Sequence, residues 1–165
     1  MDRLTTIENE LVNVLKDIDG SLTDTYQYLT DVKTVDVIDE VLEIDGGGYP
    51  SILVDLDPNE IIGDGESKAY RNTRFFKLTC RVSNEDVTVN PRQAIKTKMN
   101  MLDQDIKYAL SSNYHLNDSC DSAYIISSNR IYHNENSILR TGDLIMNIKV
   151  VYTQSRLNPS LNVCN

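Results

Sequence analysis

The sequence predicts an α+β domain, a largely antiparallel β-sheet packed by two helices, with mobile loops and a C-terminal tail. Three observations predict it. Two stretches repeat apolar residues at helical spacing, several others alternate them with period two, and the order runs helix, strands, helix, strand, strand. The domain is expected over residues 1–154 and the tail over 155–165, where periodicity stops and Pro159 interrupts the chain.

The first helix is expected from Thr5 to about Asp17. Thr5 and Glu8 have capping-box spacing, and Ile7, Leu11, Val14, Leu15 and Ile18 form one stripe before Asp19-Gly20-Ser21 ends it. Residues 22–34 suit either a short helix or a covering loop that uses Tyr26, Tyr28, Leu29 and Val32. Val35 to Ile44 reads as extended, with acids interleaved, and the glycines at 46–48 break the chain. Those glycines lack the Lys-Ser/Thr and following helix of a phosphate loop, so a hinge is expected. Ser51 to Asp57 is a strand with Ile52, Val54 and Leu56 on one side and Leu53, Asp55 and Asp57 on the other.

Residues 58–70 read as a mobile loop with a proline, two glycines and three acids. Arg71 to Ser83 is the clearest strand: Phe76, Leu78, Cys80 and Val82 alternate with Lys77, Thr79 and Arg81. Asn90 as N-cap and Pro91 at the first helical position open the second helix. Its stripe is Ile95, Met99, Leu102, Ile106, Ala109 and Leu110. Tyr124 to Tyr132 and Leu144 to Thr153 are the last strands, with 133–143 expected as their hairpin connection.

Composition excludes several classes. Of 165 residues, 16 are basic and 25 acidic, so the net charge of −9 argues against general nucleic-acid binding. Apolar runs fall far short of the ~20 residues of a membrane-spanning helix. The first residues lack a basic-then-apolar signal pattern, so an intracellular site of synthesis is expected. Charge is uneven along the chain. Residues 1–66 hold 17 acids and three bases, a formal −14, while residues 67–165 hold eight acids and 13 bases, a formal +5. Such asymmetry can mark an acidic and a basic surface, or it can vanish when the halves fold together.

Chemistry-bearing residues are sparse. Cys80, Cys120 and Cys164 have no CxxC spacing and are expected as reduced, dispensable thiols, with Cys80 in the core and Cys120 and Cys164 in polar segments. His115 and His133 are too few for a three-histidine zinc site. Were the chain an enzyme, Asp55, Asp57, His115 and Cys120 would be its least implausible residues. No catalytic, metal or cofactor site is expected.

From Gly48 onward the order of segments resembles the tail terminator (tail completion) proteins of long-tailed bacteriophages. The segments are Tyr49-Pro50-Ser51-Ile52-Leu53-Val54, an acid-rich loop, and Thr73-Arg74-Phe75-Phe76-Lys77-Leu78-Thr79-Cys80-Arg81-Val82. There follow the helix ending Asp105-Ile106-Lys107-Tyr108-Ala109-Leu110, Tyr114-His115-Leu116, Ala123 to Ser128, and the closing Leu144 to Tyr152. With the leading helix, the resemblance covers about 150 residues; the acidic stretch 31–45 and the tail depart from it.

The resemblance implies a structural virion protein without catalytic residues. Its homo-oligomeric ring, of six subunits, would sit on the head-proximal end of the tail tube. There it would end tube polymerisation and offer a docking surface to the head connector or neck protein, with DNA crossing the lumen unbound. Candidate interface residues are Lys77, Thr79 and Arg81 on a polar strand face, with Asp55, Asp57, Glu60, Asp64 and Glu66 around loop 58–70. Those acids would line either the lumen or, as a late-engaging arm suggests, a docking face. A neck or baseplate joint protein, a small binding adaptor and a small enzyme are the alternatives.

Overall fold

The computed structural model describes residues 2–38, 48–64, 69–84, 90–135 and 138–155. Its elements are α1 (Arg3–Lys16), β1 (Thr34–Val37), β2 (Ser51–Asp64), β3 (Ala69–Ser83), α2 (Pro91–Ser112), β4 (Ser122–Glu135) and β5 (Ile138–Ser155). The five strands form one sheet in the order β1-β2-β3-β5-β4. β1 runs parallel to β2, and every other neighbouring pair is antiparallel. The expected α+β class is what the chain adopts.

Both helices cover the same face of the sheet. Period two sends Phe76, Leu78, Cys80 and Val82 of β3 and Leu144, Met146, Ile148 and Val150 of β5 inward, where all are buried. They meet Ile95, Met99, Leu102 and Ile106 of α2 and Ile7, Leu11 and Leu15 of α1 in one continuous core. Gly142 on β5 lets α2 approach: a Cβ there would stand 2.5 Å from Cγ2 of Ile95 and 3.2 Å from Sδ of Met99. This is the side of the sheet on which the chain folds.

Helix ends differ from expectation. α1 begins two residues early because Asp2, not Thr5, is its N-cap: Thr5 N donates to Asp2 Oδ1 at 3.0 Å and Thr5 Oγ1 to Oδ2 at 2.8 Å. A carboxylate there also suits the positive end of the helix dipole. Asn90 precedes α2 but its side chain caps nothing; its φ of +117° turns the chain into Pro91 instead. After α2, Leu116, Asn117 and Asp118 all have positive φ. Burial of Leu116 and the hydrogen bond from Asn117 Nδ2 to Glu10 Oε2 at 2.6 Å hold that costly turn.

Residues 22–33 form a covering loop rather than a helix, tied by the bridges Asp19–Asp31 and Leu22–Gln27. Its anchor is Asp105 of α2, wholly buried. Asp105 accepts from Leu29 N at 3.0 Å, Thr30 N at 2.8 Å, Thr30 Oγ1 at 2.5 Å and the Tyr26 hydroxyl at 2.8 Å. Tyr26 also stacks on Tyr108 with ring centroids 4.0 Å apart. The extended stretch expected at 35–44 is strand over β1, and its remainder from Asp39 lies outside the described residues.

Two expected loops are strands. Residues 58–64 continue β2, and 69–70 begin β3, in a ladder from Glu60↔Arg74 to Asp64↔Tyr70. Pro58 is accommodated because it sits in the bulge between Leu56 and Glu60, where no ladder hydrogen bond is required of it. Gly63 is close-approach glycine: a Cβ would stand 3.0 Å from the Arg71 carbonyl. Likewise 133–143 is not a long connection, since His133↔Thr141, Asn134↔Leu139 and Glu135↔Ile138 are paired. The sheet therefore carries two long ribbons, β2–β3 and β4–β5.

Candidate assembly surface

The face without helices gathers the polar strand residues. Cross-strand register aligns Asp55, Lys77, Asn147 and Ser127 in one row across four strands. Leu53, Thr79, Ile145 and Asn129 form the next row, and Ser51, Arg81, Asp143 and Ile131 the third. Lys77, Thr79, Arg81 and Asp55 thus share one surface. Its rows mix charge, amide, hydroxyl and aliphatic groups.

Each charge is locally answered. Lys77 Nζ lies 3.5 Å from Asp55 Oδ2, an exposed pair. Arg81 donates twice to the directly opposite Asp143, Nε to Oδ1 at 2.7 Å and an Nη to Oδ2 at 2.9 Å. His133 Nε2 stands 2.7 Å from the same Oδ2. Burial would push the Asp143 carboxyl up, but these hydrogen bonds and the Arg81 and His133 charges outweigh it and hold it below the ordinary range. The cluster joins β3, β5 and β4 and fixes the base of the β4–β5 ribbon.

The loop acids do not collect on one surface. Asp57 Oδ1 receives Asn59 N and Nδ2, each at 2.8 Å, within the β2 bulge. Glu60 turns to the helix side, where Arg74 lies 3.1 Å from Oε2 and the Tyr152 hydroxyl donates to Oε1 at 2.9 Å. The Asp64 backbone pairs with Tyr70, and Glu66 lies outside the described residues. The uneven charge of the sequence halves is largely reconciled here. β2 holds four acids and no base, and β3 holds four bases and no acid. The two strands lie side by side.

Nucleophilic and metal chemistry find little support in the arrangement of the candidate residues. Cys120 is buried, contrary to its polar neighbourhood, because the turn after α2 folds back and sets its thiol 3.8 Å from the Tyr114 carbonyl. Burial pushes that thiol up to about 12, and the Cys80 thiol is pushed up further, so neither forms a thiolate readily. The His115 ring packs against Tyr114 at a tilt of 41°, with 3.8 Å between centroids. Cys164 lies outside the described residues. Among the described residues no group of three or more His, Cys, Asp or Glu is placed to hold a metal ion, and no helix is long and apolar enough to cross a membrane. A cleft of about 420 Å³ opens between residues 29–33, Val82 and α2. Its lysines are engaged: Lys33 pairs with Asp31, and Lys98 Nζ donates to the Ser83 carbonyl at 2.6 Å.

Sequence reasoning missed Asp143 and His133, because neither has a partner nearby in sequence and only the sheet register brings them to Arg81. It also missed Asp105, whose one signal was an acid beside the apolar stripe of α2.

No family model matches the chain, and no curated protein matches it. Among solved structures it is similar to a chain of the virion of a native gene transfer agent particle. Identity is 12%, the TM-score is 0.33, and the alignment covers 88% of this chain and 91% of that one. At that depth the likeness carries no functional conclusion.

Proposed function

We propose that this chain is a structural, non-catalytic virion protein of the tail terminator type. It forms a ring, of six subunits, on the head-proximal end of a phage tail tube, ends tube growth and presents a docking surface to the head connector. DNA crosses the lumen without specific binding. The observation that carries the reading is the order of elements. A leading helix, a strand ribbon, one long helix and a closing ribbon follow each other as the quoted segments do in the family that the sequence resembles. The arrangement agrees with a ring subunit in a second respect: both helices lie on one face, leaving the other face and the sheet edges for neighbours. Asp55, Lys77, Thr79 and Arg81 belong to that open face and are its candidate contact residues.

The test is a polymerisation assay with the tail tube protein of the same virus. Added purified chain should arrest tube growth at substoichiometric amounts and be seen at one tube end only. Tubes that elongate at the same rate, or chain bound all along them, would contradict the proposal.

A further inference from the structure

We draw no further inference here: the strongest candidate, the cleft of about 420 Å³ between residues 29–33, Val82 and α2, has its lysines engaged within the chain, Lys33 with Asp31 and Lys98 with the Ser83 carbonyl, and nothing in the structure shows what covers it.

Discussion

Strand β5 has two kinds of neighbour. Leu144, Met146, Ile148 and Val150 are completely buried beneath α2, while Ile145, Asn147 and Lys149 between them keep part of their surface in water. The helix-covered face is closed by shape, with Gly142 admitting Ile95 and Met99 at close range. On the open face, paired charges and hydrogen bonds run across strands: Asp55–Lys77, Arg81–Asp143–His133, and Asn147 Nδ2 donating to Ser127 Oγ at 2.7 Å. The difference teaches that one face carries the stability of the fold, and it is the other that the proposed function gives to a partner.

The comparison breaks most visibly at the covered face. Phe76→Ala removes a fully buried ring and should lower unfolding free energy by about 3–5 kcal/mol, read by urea denaturation. Asp105→Ala should come next, at about 2–4 kcal/mol, because it strands the Leu29 and Thr30 amides and the Tyr26 hydroxyl; Asp105→Asn, which keeps one acceptor, should lose less.

The open face should respond less. Arg81→Ala leaves the buried Asp143 with His133 alone and should cost about 1–3 kcal/mol at pH 7. Its pH dependence follows from the depressed Asp143 carboxyl. A group held below its unfolded value stabilises the fold above that value, about 3.9, and loses the contribution as pH falls through the folded value. The gap between wild type and Arg81→Ala should therefore be steady above about pH 5 and narrow below pH 4. Denaturation at a series of pH values checks it; a gap that widens on acidification would contradict the sign. Smallest of all, Lys77→Ala at an exposed, screened pair should change stability by less than about 0.5 kcal/mol. If it instead weakened self-association, the open face would be confirmed as a contact surface at a position of no importance to folding.

The two helical stripes and the alternation of Phe76 to Val82 were legible because side-chain periodicity reports which face meets the core. The ribbons were not. Past Leu56 and past Tyr132 the ladder is held by backbone hydrogen bonds, which leave no apolar signature, and Pro58 and Gly63 imitate a loop. Cys120 misled for a related reason: its polar neighbours are local, while its burial comes from the reversal after α2. Lys77, Thr79 and Arg81 were placed on one face correctly, since period two suffices for that. Glu60 was grouped with Asp55, but the two stand five residues apart and period two puts the Glu60 side chain on the opposite face.

Amide hydrogen exchange, compared between the free chain and the chain bound to isolated tails, tests the division of the sheet most directly. Added protection is predicted along β4 (Ser122–Glu135) and the outer part of β2 (Asp55–Asp64), with α1 and α2 unchanged. Protection gained on the helices while β4 and β2 exchange as in the free chain would contradict the account.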